Sequence, residues 1–171
     1  MNRGEAMFIE TKRLVIRGFL PEDAAELHEI LGDPETMRYA EPAYDFEKAK
    51  EFLNSFCIAQ NGALAAVSRE SGKLIGYILF KEYEKDVYEL GWFFNRAYWR
   101  QGYAYEACKA LIDHAFESLK SKMVFAETID VEKSIPLMRK LGMKPREELH
   151  SPTMDNEGNI ATLYYYSVEN K

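Results

Sequence analysis

The sequence predicts a mixed α/β fold, a sheet of about seven mostly antiparallel strands with helices on both of its faces. Three observations predict it. The middle third carries three apolar, β-rich runs separated only by the turns "ESGK" and "EKD", and gaps that short join antiparallel neighbours. From Gly102 the apolar period switches to helical and holds for about five turns. Around these, strand-like and helical runs give the order strand, helices, three strands, long helix, strand, helix, two strands.

The first strand is read in "KRLVIRGF", where Leu14, Ile16 and Gly18 face one way and Val15 and Arg17 the other. "PEDAAELHEIL" follows as a helix: Pro21 takes a first-helical position, acids fill the first turn, Ala24, Leu27, Ile30 and Leu31 repeat on one face, and Gly32 ends it. A short helix is expected near "DPETMRYA" and a longer one over Phe46 to Asn61, stopped by Asn61-Gly62. "ALAAVSR", "KLIGYILFKEY" and "VYELGWFFN" are the three antiparallel strands. Ala104, Ala107, Cys108, Leu111, Ile112, Ala115 and Leu119 then form the stripe of the long helix. "MVFAETI" returns to strand, "SIPLMRKLG" to a helix closed by Gly142, and "MKPREEL" and "ATLYYYSV" to two strands around the polar loop "SPTMDNEGN". With 171 residues and no repeat, linker or low-complexity segment, the expectation is one domain over residues 1–171.

Lys plus Arg total 22 against 28 Asp plus Glu, a formal charge of -6 that disfavours nucleic acid, whose phosphates need a basic surface, and favours cationic ligands. Cys57 and Cys108 form no C-x-x-C pair and suit a reduced compartment better than a disulfide framework. "MNRGEAMFIE" has no apolar leader core, and the longest near-apolar run, "LIGYILF", is far shorter than a membrane span. A cytoplasmic protein without membrane or nucleic-acid partners is expected. His28, His114 and His150 have no metal-ligand spacing, so no metal is expected.

The stretch "YWRQGYAYEACKALIDHAF" places aromatic and basic residues around Gly102, directly before the long helix. A helix N-terminus presents unpaired N–H groups and partial positive charge, which suits phosphate or carboxylate. Gly102 permits close backbone approach, Ala104 leaves room, and Arg100 adds a charged donor. A pyrophosphate fits such a turn, although one glycine before a helix is most often a plain cap. The P-loop ending and the three spaced glycines of a dinucleotide fold are both missing.

"TKRLVIRGFLPEDAAELHEILGDPETMRY", "GKLIGYI", "YELGWFFNRAYWRQGYAYEA" and "SIPLMRKLGM", in that order and nearly end to end, resemble the GNAT superfamily of acyl-coenzyme A dependent N-acetyltransferases, and within it the ribosomal-protein N-terminal alanine acetyltransferases. The resemblance implies a sheet splayed between its fourth strand, around Glu89 to Phe94, and its fifth, around Val124 to Thr128. The pantetheine arm of acetyl-CoA would lie in that split against main chain at Trp92, Phe93 and Phe94. The family's pyrophosphate motif, Q/R-x-x-G-x-G/A, falls on Trp99, Gly102 and Ala104, so the N–H groups of Arg100, Gln101, Gly102, Tyr103, Ala104 and Tyr105 would face the phosphates. This chain departs from the pattern at Trp99, at Tyr105 in place of Ser or Thr, at Val131 in place of an Asn, and at Met138 in place of a tyrosine general acid.

The implied reaction moves an acetyl group from acetyl-CoA to a primary amine by direct attack on the thioester. A lysine amine titrates near ~10.4 and an α-amine near ~8, so a base must take the amine's proton. Glu89, which the resemblance matches to the acidic residue before "GY" common in this branch, is the candidate, directly or through a water; an ion pair or an exposed strand glutamate is the alternative. Ser134 either touches the thiol and donates a proton or caps its helix. The oxyanion would meet a main-chain N–H at Trp92 or Phe93. Cys108 on the apolar stripe and Cys57 without a nearby base disfavour an acyl-cysteine route.

Acceptor walls are expected from "MRYAEPAYDF" and "SPTMDNEGN", whose acids Glu41, Asp45, Asp155 and Glu157 would attract a cationic amine or simply be solvated; Tyr164 to Tyr166 would line the pocket or pack in the strand. A peptide or protein N-terminus, a polyamine, an aminoglycoside-like drug and a small metabolite stay open as acceptors. Two other readings compete: a non-catalytic acyl-CoA binding or sensing module, and an interaction protein in which Gly102 is only a cap. Homodimers are frequent in the family, and the sequence identifies no interface.

Overall fold

A computed structural model describes residues 7–171; the leader reading of residues 1–6 lies outside them. The chain opens with β1 (Phe8–Glu10) and β2 (Leu14–Gly18), then a 3-10 turn at Pro21–Asp23 leading into α1 (Ala24–Leu31). Asp23 is buried and accepts from Arg17 Nη1 and Nη2, at 2.8 and 3.0 Å, which ties the start of α1 to β2. α2 (Phe46–Phe52) is followed by the antiparallel strands β3 (Ala63–Ser68), β4 (Leu74–Glu84) and β5 (Val87–Phe94). Then come α3 (Tyr103–Glu117), β6 (Met123–Thr128), α4 (Ser134–Lys140), β7 (Lys144–Pro145), β8 (Ser151–Met154) and β9 (Ile160–Glu169).

One 9-stranded sheet results, ordered β1-β2-β3-β4-β5-β6-β9-β7, with β8 paired to β9. Strand alternation sends side chains to opposite faces. On one face Leu14, Ile16, Ile78 and Leu90 pack with Ala107, Leu111 and Met138 of α3 and α4. On the other, Ala63, Ala65, Leu74 and Tyr77 pack with Leu27, Ile30, Ala49 and Leu53 from the α1 and α2 side. Gly76 lets the ring of Phe94 lie against β4, because a Cβ there would sit 2.6 Å from it.

The feature that positions the site is the junction of β5 and β6. They run parallel and pair only at Val87, Tyr88 and Glu89 with Met123, Val124 and Phe125. Beyond Glu89, β5 continues to Phe94 against β4 alone, while β6 continues to Thr128 against β9. The sheet therefore opens between them, as the resemblance implied.

The mixed α/β class with helices on both faces holds, and β1 and β8 raise the strand number. "DPETMRYA" forms turns rather than a helix. The Asp33 carboxylate accepts from Thr36 Oγ1 at 2.7 Å and from its N–H at 3.3 Å, and such local bonds compete with a helical ladder. The helix expected to Asn61 is α-helical only to Phe52 and continues as a wide π turn over Leu53–Ile58, ending at Asn61 with φ 49°. "MKPREEL" pairs only at Lys144–Pro145, since Pro145 has no N–H to continue a ladder, and the chain turns over Glu147–Leu149. Part of the loop "SPTMDNEGN" is β8, joined to β9 by a hairpin that Asp155 ties through bonds to the N–H groups of Glu157 and Asn159. Among the described residues no helix is long and apolar enough to cross a membrane.

Candidate functional site

A cleft of about 1080 Å³ occupies the opening between β5 and β6. It is lined by Leu90, Trp92 and Phe94 and also by Glu89, Gly91 and Phe93, which point to opposite faces of β5. One cavity can touch both sets only by passing through the plane of the sheet, which the lost pairing after Glu89 allows.

On the α3 side the cleft meets the turn before that helix. Gly102 has φ 81° and Arg100 has φ 60°, so two residues in left-handed conformation fold the backbone N–H groups toward one concavity. Arg100 carries the larger conformational cost, because an L side chain in this region is disfavoured. Among the described residues, no protein acceptor takes the N–H groups of Arg100 through Tyr105; the first amide paired is that of Glu106, to the Gly102 carbonyl at 3.0 Å. These N–H groups stand at the positive end of a 15-residue helix.

Three side chains hold the turn in place. The Trp99 indole N–H donates to the Phe94 carbonyl at 2.8 Å, joining the turn to the end of β5. Glu106, in the first turn of α3, accepts from Thr11 Oγ1 at 2.6 Å, the Arg13 amide at 2.9 Å and Arg13 Nε at 2.8 Å. Arg13 also donates to the Gln101 carbonyl at 2.8 Å and lies over the Tyr103 ring, 4.0 Å from its centroid. Desolvation pushes the Glu106 carboxyl up, but the bonds from Thr11 and Arg13 outweigh it and hold the group below its ordinary range.

On the other face of the sheet, Glu89 and Glu127 both line the cleft. Burial, and then the charge of Glu89, raise the Glu127 carboxyl above its ordinary value. Burial, followed by the charge of Glu127, pushes the Tyr165 phenol up to about 12. In the turn before α4, Asp130 accepts from the Glu132 and Lys133 amides at 3.0 Å each, and Ser134 is the first residue of the helix, whose cap position, Lys133, makes no side-chain capping bond. Ser134 lines the cleft, as does Met138, at the position where the resemblance leads one to expect a tyrosine.

Trp92, Phe93, Phe94, Trp99, Arg100, Gly102, Tyr103, Ala104 and Tyr105 line the cleft with Glu89 and Ser134. Gln101 does not: its amide turns to the Ala97 carbonyl at 3.1 Å, leaving only its main chain in the turn. The two expected acceptor segments do meet, through Asn156 Nδ2 and the Met37 carbonyl at 2.9 Å. Their acids serve elsewhere: Glu41 accepts from the Tyr44 hydroxyl, Asp45 caps α2 and Asp155 ties its own hairpin, while Glu157 lies outside the cleft lining. Glu35, Glu89, Glu127, Asp130 and Glu132 are the carboxylates that line the cleft. Tyr166 is in the core, Tyr164 packs against it and Tyr165 stacks on Phe125, so the tyrosine run packs the strand. Both cysteines are buried with thiols pushed up by burial, Cys57 to about 12. Among the described residues no group of His, Cys, Asp and Glu is placed to hold a metal ion.

Sequence reading missed Glu127, the Glu106 latch and two lysines, Lys133 and Lys140, that also line the cleft. The spacing "YAYE" does place Glu106 in the first turn of α3, where an acid is favoured; its partners lie at the far end of the chain.

The family model described as the acetyltransferase (GNAT) domain matches residues 13–144. The uncharacterized N-acetyltransferase YnaD of Bacillus subtilis (strain 168) is 32% identical over 166 residues, covering 95% of this chain and 96% of that one. The crystal structure of an acetyltransferase (GNAT family) from Bacillus anthracis matches with a TM-score of 0.84 at 27% identity, covering 95% and 98% of the two chains. The ribosomal-protein-S5-alanine acetyltransferase from Vibrio fischeri shares the fold, with a TM-score of 0.78 at 16% identity over 96% and 97%.

Proposed function

This chain belongs to the acetyltransferase (GNAT) domain family, whose members use an acyl-CoA cosubstrate, and from that premise we propose that it transfers acetyl from acetyl-CoA to a primary amine by direct attack on the thioester. The acceptor is a peptide or protein N-terminus or a small cationic amine, and residues 1–171 act as one domain. The observation that carries this reading is the row of unpartnered N–H groups from Arg100 to Tyr105 at one end of a cleft that continues through the sheet to Glu89.

The residues present fit the cosubstrate. The left-handed pair Arg100 and Gly102 concentrates N–H donors where a pyrophosphate needs them, and Arg100 adds a guanidinium. The unpaired stretch of β5 beyond Glu89, Trp92 to Phe94, offers main-chain groups to the amides of the pantetheine arm. Acetyl-CoA supplies the activated thioester. Glu89, on the opposite face, takes the proton from the incoming ammonium and leaves a nucleophilic amine. A main-chain N–H at Trp92 or Phe93 stabilises the oxyanion. As the C–N bond forms and the C–S bond breaks, the nitrogen releases its remaining extra proton to solvent, and the thiolate takes one from solvent or from Ser134, which solvent reprotonates, since Met138 has none to give.

Thermal unfolding with acetyl-CoA tests the cosubstrate, and thiol release across a panel of amines tests turnover. At a hundredfold excess over its dissociation constant a ligand adds about 2.7 kcal/mol, or roughly 2–4 °C per kcal/mol for a chain of this size. A shift of several degrees together with amine-dependent thiol release is expected. A shift without release from any amine would leave an acyl-CoA sensing module; no shift would overturn both readings.

A further inference from the structure

The cations lining the cleft are Arg38, Arg100, Lys133 and Lys140. Arg38 lies 3.8 Å from Glu35. None of the other three has a carboxylate within ion-pair distance among the described residues. Five carboxylates, Glu35, Glu89, Glu127, Asp130 and Glu132, line the same cleft, yet Arg100, Lys133 and Lys140 stay unpaired among the described residues, which leaves three cations free to meet an anion at the turn.

The two lysines are held in a specific way. Lys133 Nζ lies over the Trp99 ring and Lys140 Nζ over the Tyr105 ring, each 4.3 Å from the centroid. Trp99 and Tyr105 are the two positions within the turn that depart from the family's motif. An aromatic face fixes an ammonium without consuming its N–H donors, so all three donors of each lysine stay available for phosphate oxygens. The lysines stand at opposite ends of α4, about 10 Å apart along its axis at 1.5 Å per residue, and so bracket the unpartnered N–H groups. The Lys133 end belongs to the split: Trp99 is bonded to the end of β5, and Lys133 Nζ is also 6.0 Å from the Tyr39 ring. The Lys140 end stands at the last residue of α4, over Tyr105 in the first turn of α3.

We propose that Lys140, seated on Tyr105, is a phosphate-monoester subsite that reads the 3′-phosphate of coenzyme A, while Lys133, seated on Trp99, supports the pyrophosphate. The proposal rests on the acetyl-CoA reading above. The turn's own N–H groups already serve a pyrophosphate, with Lys133 beside the turn; a further fixed ammonium about 10 Å along α4 matches a third phosphate. The chain therefore distinguishes CoA from dephospho-CoA, and one lysine sets the difference.

The test is titration calorimetry with CoA and dephospho-CoA, at one ionic strength, on the native chain and on Lys140→Met, Lys140→Arg and Lys133→Met. Met keeps the stem on the ring and removes the charge, and a thermal midpoint for each variant checks that it folds. The native chain is expected to favour CoA by about tenfold, the size of one charge-assisted contact. Lys140→Met should bring that ratio close to one with dephospho-CoA affinity unchanged, and Lys140→Arg should keep it. Lys133→Met should weaken both ligands alike. A native ratio of one, a Lys140→Met variant that weakens both ligands equally or neither, or a ratio controlled by Lys133 would overturn the proposal. So would a native ratio of one with stabilisation by inorganic phosphate that Lys140→Met abolishes, which would assign the lysine to free phosphate. If neither nucleotide binds the native chain, the acetyl-CoA reading itself falls, a result distinct from a ratio of one.

Discussion

Glu89 and Glu127 stand on the same face of the sheet on either side of the fork where β5 and β6 separate. The last paired residues are Glu89 and Phe125, and Glu127 lies two positions further along β6, pointing to the face that Phe125 shares. Their carboxylates are close enough for the charge of Glu89 to lift Glu127, on top of the effect of burial. In the proposed reaction, an amine arriving from that face would meet both acids at the fork.

Glu89→Gln is expected to lower turnover by about 10²–10⁴-fold, the usual contribution of a positioned base, with acetyl-CoA affinity unchanged. In the same variant the Glu127 carboxyl should titrate lower than in the native chain, read by carbon NMR of its side-chain carboxyl. An unmoved Glu127 would mean that the two groups do not sense each other across the fork.

Stability against pH separates the raised acid from the depressed one. Glu127 binds its proton more tightly folded than unfolded, so its contribution is complete below the ordinary carboxylate range and lost as pH rises through the folded value. Glu106 is the reverse: its contribution is present above that range and lost as pH falls through its depressed folded value. Glu127→Gln should therefore raise the melting midpoint at pH 7 relative to native and lose that advantage at about pH 4. Glu106→Gln should lower the midpoint at pH 7 and approach native in acid. Scanning calorimetry at the two pH values reads both.

Glu106→Ala leaves the Arg13 and Thr11 donors without their shared acceptor, and the loss of such bonds costs about 1–3 kcal/mol. The midpoint should fall by roughly 2–4 °C for each kcal/mol lost. Because Arg13 also anchors the Gln101 carbonyl, acetyl-CoA affinity should fall as well, in calorimetry at a temperature where the variant is folded.

Gly102→Ala forces an L side chain to φ 81° and brings its Cβ within 3.3 Å of Arg13 Nη2, a cost of about 1–2 kcal/mol. Arg100→Gly does the opposite, since the residue at φ 60° no longer opposes its own backbone. The expected outcome is a lower midpoint for the first and an unlowered one for the second, with acetyl-CoA affinity reduced in both. A large fall in stability for Arg100→Gly would show that the guanidinium, not the backbone, holds the turn.

The order of elements and the long helix were legible because each rests on local patterning, period-two runs with short turns and a helical stripe, whereas the split was legible only through the resemblance to the family. The turn's shape was half legible. Gly102 announces a left-handed residue, but Arg100 is of a type that ordinarily avoids that region, and only its neighbours impose it. Glu106 was unreadable as a latch because its partners Thr11 and Arg13 come together with it only after β2 is docked. Glu127 was unreadable as a cleft acid because its importance depends on where β6 leaves β5. The acids of the two acceptor loops misled for a related reason. Carboxylates in turns find nearby N–H and O–H groups, as Asp45 and Asp155 do, and are then spent on local structure.

The parting of β5 and β6 also leaves two strand edges inside the molecule. An unpaired edge at the rim of a sheet is a template for a neighbouring chain and a seed for aggregation. Here the edges from Leu90 to Phe94 and from Ala126 to Thr128 face a cleft walled by the Arg100–Tyr105 turn and the start of α4. A slender arm bearing amides can add itself as a partial strand between those walls. A second protein, which would bring side chains on both faces of its strand, meets the walls first, so the backbone hunger that threatens an open sheet is directed toward a small guest.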